Sequence, residues 1–225
     1  MNSSSAVTVI TIDGPSGAGK GTLSQLLAKR LGFHLLDSGA LYRLVALAVN
    51  QQNVDIHSET AVAEVAQRLD VKFDTTGEIT RVMLAGEDVT QKIRTEIVSM
   101  NASIVAAYPG VRTALLARQR EFRQLPGLVA DGRDMGTQVF TDASKKIFLT
   151  ASAQARAQRR YQQLTAKGES VDMAALIKDI QARDERDSNR IISPLKPAAD
   201  AYVIDSTELT IEEVLHAMLS FINRV

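Results

Sequence analysis

Gly14-Pro15-Ser16-Gly17-Ala18-Gly19-Lys20-Gly21-Thr22 is the stretch on which the fold turns. It carries the G-x-x-x-x-G-K pattern of a phosphate-binding loop. The glycines let consecutive backbone N–H groups turn inward around phosphate oxygens. A helix starting there adds the positive end of its dipole. Lys20 can then reach the β and γ phosphates as a movable charge. The flanks agree. Val7-Thr8-Val9-Ile10-Thr11-Ile12 is β-branched throughout, as in a parallel strand buried on both faces. Leu23, Leu26, Leu27 and Leu31 then recur on one face of a predicted helix, which Gly32 stops. Strand, glycine loop and helix in succession open an α/β nucleotide-binding fold. Gly21 stands where such loops usually carry Ser or Thr, with Thr22 one place later, so the metal ligands stay open.

Further along, His34-Leu35-Leu36 reads as a second strand, and a helix carries Leu41, Leu44, Val45 and Ala48. Residues 61–69 have helical spacing. The period then changes: Val71-Lys72-Phe73-Asp74, a Thr75-Thr76-Gly77 turn and a run over 79–84 predict a β-hairpin. Gly86-Glu87-Asp88 marks another turn. Helical stretches are expected over 91–107 and 110–124, and core strands over 128–131, 146–149 and 201–204. The last helix has the stripe Ile211, Val214, Leu215, Met218, Leu219, Ile222. The small β segment interrupts a βαβ series, which makes it an insertion in one α/β domain spanning 1–225.

Lysine plus arginine equals aspartate plus glutamate at 26 each, so net charge points to no nucleic-acid polymer and no membrane surface. With no cysteine, disulfide frameworks and thiolate metal sites are excluded. No stretch approaches the ~20 apolar residues that span a bilayer, and a soluble, cytoplasmic protein is expected.

Cationic residues gather in three places. Arg156, Arg159 and Arg160 share one helix face, and Arg159 is expected at the ATP site. Arg183, Arg186, Asp187 and Arg190 share another. The apolar stripe of that second helix, Leu176 and Ile180, continues into Arg183, Asp187 and Arg190, so a face that begins against the core becomes charged and enters a polar cleft. A solvated helix end laced with Arg–Asp pairs is the alternative, because Asp184 and Glu185 lie beside them. Asp131-Gly132-Arg133-Asp134 ends a buried strand, where open α/β sheets bind ligands. A GTPase would carry an Asn-Lys-x-Asp loop, which is absent here. The arginines favour a kinase with an acceptor site over a non-catalytic ATP-dependent switch.

These residues resemble a known family. The phosphate loop with its Gly21-Thr22 pair is similar to that of nucleoside monophosphate kinases. Leu36-Asp37-Ser38-Gly39-Ala40-Leu41-Tyr42-Arg43, Asp131-Gly132-Arg133-Asp134-Met135-Gly136 and Arg183-Asp184-Glu185-Arg186-Asp187-Ser188-Asn189-Arg190 are similar to bacterial cytidylate kinases. The resemblance implies a P-loop kinase core with a parallel sheet flanked by helices. It also implies a nucleoside-monophosphate lobe over 37–124, with its β insert near 71–89, and a short lid over 152–168. ATP and Mg²⁺ are the implied cofactors, CMP or dCMP the acceptor, and a monomer the expected state. Gly14 through Thr22 would hold ATP. Ser38, Tyr42 and Arg43 would line the acceptor site, with Arg43 on the CMP phosphate, although Tyr42 equally suits a packing role. Ser103, Arg112 and Asp134 would read the cytosine edge. Arg133 would bind phosphate, Arg183 and Arg190 would clamp the phosphoryl groups, and Asp187 would hold the ribose hydroxyls. Lys20, Arg133, Arg183 and Arg190 form the expected catalytic set.

Overall fold

In the computed structural model, which describes residues 7–74, 81–166 and 168–224, the β-branched run becomes β1 (Thr8–Asp13). The phosphate loop leads into α1 (Lys20–Leu31), followed by β2 (His34–Asp37). Gly32 closes α1 in the left-handed conformation at φ 66°, as a C-terminal glycine does. The chain then divides into two compact units, Ser38–Gln119 and the rest.

The unit formed by the rest contains β1, α1 and β2. It continues with β6 (Gly127–Gly132), β7 (Lys145–Thr150), α6 (Ala153–Thr165), α7 (Met173–Ser188), β8 (Tyr202–Asp205) and α8 (Ile211–Ile222). Its five strands pair in the order β2-β6-β1-β7-β8, every pair parallel. β1 is central: Thr8 stands opposite Gly127 on one side and Ile10 opposite Lys145 on the other. β6 is buried along its whole length, which explains its unbroken apolar run. Ile10, Ile12, Val129, Ile147, Leu149 and Ile204 from the sheet form one core with Leu23 and Leu27 of α1 and Val214 and Met218 of α8. The predicted helix stripes are wider than the faces they bury. Leu26 is 39% exposed and Ile211 40%. Leu26 lies at the margin of its stripe, where the helix surface curves away from the sheet, and Ile211 is the first residue of α8.

The second unit contains α2 (Ser38–Gln51), α3 (Glu59–Gln67), β3 (Val71–Asp74), β4 (Arg81–Leu84), β5 (Glu87–Asp88), α4 (Glu96–Val105) and α5 (Pro109–Glu121, which runs just past the unit). α2 is buried nearly all round, as expected for a helix enclosed by α3 and α4. β3 and β4 pair antiparallel as predicted, while the Thr75-Thr76-Gly77 turn lies outside the described residues. Two expectations fail here. Glu87-Asp88 is not a turn but β5, paired to β4, because Ala85 (φ 48°) and Gly86 (φ 82°) already form the tight reversal. The helix expected over 91–107 breaks at Thr95. There an extended backbone and a hydroxyl bond back to the Lys92 carbonyl end a 3₁₀ turn (Lys92–Arg94) before α4 begins.

Candidate active site

In the first unit the site grows from the carboxyl edge of the parallel sheet, where α/β folds bind ligands. Gly14 starts the loop with φ 150°, and a Cβ there would stand 1.9 Å from the Leu149 carbonyl oxygen. Only glycine fits. Gly17 and Gly19 also hold positive φ, at 78° and 94°, which bends the loop between β1 and α1. Lys20 begins α1, buried; its Nζ donates to the Pro15 carbonyl at 2.9 Å and lies 4.0 Å from Asp131 Oδ1. Burial, then the Arg133 charge, push the amine down to about 7, against the pull of Asp131 and Asp13.

The clustered arginines resolve into distinct contacts. On α7 the stripe runs as predicted: Leu176 and Ile180 are half-buried, and Asp187 below them is 1% exposed. Asp187 Oδ2 accepts from Arg133 Nε at 3.1 Å, and its Oδ1 accepts from Arg190 Nη2. Burial alone would raise this carboxyl, but the charges of Arg133, Arg190 and Arg183 outweigh it and hold it below the usual range. The face of the helix that carries Asp187 is therefore an enclosed ionic cluster, while Glu185 and Arg186 beside it are exposed. Asp184, beside it, takes a bidentate contact from Arg156 of α6, at 2.9 and 2.5 Å.

The three α6 arginines have separate partners. Arg156, 4% exposed, also donates to the carbonyls of Ala151 and of Ser16 in the phosphate loop. Arg159 donates to the backbone carbonyl and hydroxyl of Ser206, whose Oγ lies 3.4 Å from the Ala18 carbonyl. Arg160 points elsewhere, toward Gln163.

Asp134 is 2% exposed and stands at the start of a π-helical turn (Met135–Val139) that the sequence did not predict. Thr22 is exposed and Ser16 half-buried on the loop, and Pro15 and Ala18 are buried. The carboxylate of Asp131 is close: a Cβ on Gly21 would be 3.8 Å from its Oδ2.

In the second unit, Ser38 opens α2, 2% exposed, and its Oγ accepts from Gln119 Nε2 at 2.8 Å. Tyr42, one turn on, is 7% exposed beneath Arg112, whose guanidinium sits 5.5 Å from the ring centroid. Arg112 also donates to the Ala106 carbonyl at 2.9 Å. Ser103 is buried on α4. Arg43 is half-buried and makes no hydrogen bond or ion pair among the described residues. Tyr42 thus forms a platform for Arg112.

Sequence reading missed Gln119, Asp13 and the contacts of Arg156. The available signal for Asp13 was its place at the carboxyl end of the first strand.

A parallel sheet, a lysine-bearing glycine loop between its central strand and α1, and an enclosed Arg–Asp cluster at the same sheet edge define a P-loop phosphotransferase. The sequence model of the cytidylate kinase family matches residues 10–224. The chain is 59% identical to the cytidylate kinase of Aeromonas salmonicida (strain A449), over 95% of this chain and 93% of that protein. It is 60% identical to that of Pseudomonas syringae pv. tomato (strain ATCC BAA-871 / DC3000), over 94% and 93%. With the Pseudomonas putida KT2440 enzyme the identity is 57% over 96% of each. The chain belongs to the cytidylate kinase family.

Proposed function

We propose that this chain transfers the terminal phosphoryl group of ATP to CMP, giving CDP and ADP, and that it accepts dCMP as well. The observation that carries the reading is the buried Lys20 of the phosphate loop, set within the field of Arg133 and Arg183 in a chain of this family. An oxygen of the CMP phosphate attacks the γ-phosphorus in line, and the bond to the β-phosphate bridging oxygen breaks as ADP leaves. The attacking oxygen is already ionised and needs no strong general base. The work left to the protein is positioning and charge neutralisation by Lys20, Arg133, Arg183 and Arg190.

The loop backbone from Gly14 to Thr22 cradles the ATP phosphates, with Arg159 beside them. Ser38, Tyr42, Arg43, Ser103 and Arg112 serve the acceptor nucleotide. Arg43, with no protein partner among the described residues, supports a phosphate contact. Asp134 accepts from the cytosine amino group and Asp187 from a ribose hydroxyl. Such polar reading discriminates well, because a wrong base leaves buried groups unpaired.

Magnesium fits the donors present. Asp131, beside Lys20 and Gly21, offers a hard carboxylate oxygen, and Thr22 a hydroxyl one residue beyond the usual position. Bound there with ATP, the ion would neutralise charge on the transferred group. We further assign 37–124 as the acceptor lobe and 152–168 as a lid that excludes water and suppresses ATP hydrolysis. The working state is a cytoplasmic monomer. Among the described residues no helix is long and apolar enough to cross a membrane.

ADP formation from MgATP should be strong with CMP and dCMP, weaker with UMP, and negligible with AMP, GMP or shikimate. ATP binding without turnover on any acceptor would instead favour a nucleotide-dependent switch.

A further inference from the structure

Asp13 ends β1 directly before the phosphate loop, yet its side chain serves another segment. Its Oδ1 accepts from the backbone N–H of Met135 and its Oδ2 from that of Gly136, both at 2.8 Å, and the residue is 5% exposed. Those two amides open the π-helical turn, a rare element that tends to occur at functional sites. Arg133 and Asp134 immediately precede it. The turn has no slack. A Cβ on Gly136 would stand 2.9 Å from Thr11 Oγ1, and one on Gly132 would stand 2.8 Å from Met135 Cγ.

A carboxylate with one oxygen on each of two adjacent N–H groups fixes both the place and the orientation of that turn, through charge-assisted bonds. The arrangement is expensive to keep: burial, with Asp134 nearby, pushes the Asp13 carboxyl up to about 7, against the two amides and Lys20. A residue needed only for packing would be better as a neutral side chain. We propose that Asp13 is a positioning residue for the acceptor nucleotide, holding the Arg133–Asp134 segment through the Met135 and Gly136 amides and so setting affinity for CMP but not for ATP. The inference rests on the acceptor-site reading of Arg133 and Asp134.

Asp13→Asn keeps the shape but leaves one accepting oxygen for two donors. Steady-state kinetics with each substrate varied should show KM for CMP raised about tenfold, with KM for ATP within about twofold of the parent. An equal rise for ATP would assign Asp13 to the phosphate loop and overturn the proposal, as would an unchanged KM for CMP. Asp134→Asn, measured alongside, separates the two levels. If it leaves KM for CMP unchanged, the acceptor-site reading falls; if it raises KM while Asp13→Asn does not, only the Asp13 role falls. Should Asp13→Asn fail to fold, Gly136→Ala displaces the same turn, its Cβ pressing on Thr11 Oγ1 and Lys146, with the carboxylate and the phosphate loop intact. It must reproduce the CMP-selective rise, and a normal KM for CMP in that variant sinks the idea.

Discussion

Lys20 shows what a buried functional charge does to stability. Burial and the neighbouring Arg133 lower its pKa from 10.5 to about 7. Between those values the unfolded chain holds a proton that the folded one has shed, so the native state gains stability as pH rises across that window. Lys20→Met, which keeps the aliphatic volume, removes this dependence. The variant should melt higher than the parent near pH 6.5, and its margin should shrink by on the order of 2 kcal/mol by pH 9.5. On the proposed action of its charge on the transferred phosphoryl group, turnover should fall at least ~10³-fold while the fold stays intact. A variant with near-normal turnover would remove Lys20 from the mechanism.

At the scale of elements, Arg156 joins α6 to α7 and to the glycine loop. From α6 it reaches Asp184 on α7 and the Ser16 carbonyl of the loop. Arg156→Met strands a half-buried carboxylate and frees the loop carbonyl. The expected loss is about 2 kcal/mol, or roughly 4–8 °C in melting temperature, with a raised KM for ATP. The Arg156→Met, Asp184→Asn double variant should lose little more than the single one, and full additivity would show that the pair is not coupled.

Elements were also where the sequence was most legible. Every core strand and most long helices announced themselves through period and composition, because burial on one or two faces repeats along the chain, but α6 showed only its arginine spacing and the helix read over 91–107 is broken at Thr95. β5 did not, since two residues cannot show a period and only the positive φ of Ala85 and Gly86 creates the strand. The π turn escaped for the same reason. In the site, the loop and the arginine helix were readable because spacing put their residues together. Gln119 reaches Ser38 across 81 residues, and Asp13 reaches Gly136 across 123, and no local pattern marks such pairs.

For the whole molecule the charge balance is decisive. With 26 basic and 26 acidic residues the surface has no net field, so attraction for polyanionic substrates comes from local clusters. Raising salt from about 50 to about 300 mM should raise KM for both ATP and CMP roughly threefold. The melting temperature should stay within about 2 °C, since the enclosed Arg133–Asp187–Arg190 cluster is shielded from ions. A large fall in melting temperature would show that the cluster is open to solvent.

The central place of β1 also bears on how the chain is made. Its two neighbours in the sheet are β6 and β7, so Thr8 waits for Gly127 and Ile10 for Lys145. At ~5–20 residues per second on the ribosome, the first strand emerges on the order of ten seconds before either partner exists. During that interval an apolar, β-branched segment has both edges open. The nascent chain is thus most exposed to misassociation in that interval, and β1 is enclosed only once β6 and β7 have left the exit tunnel.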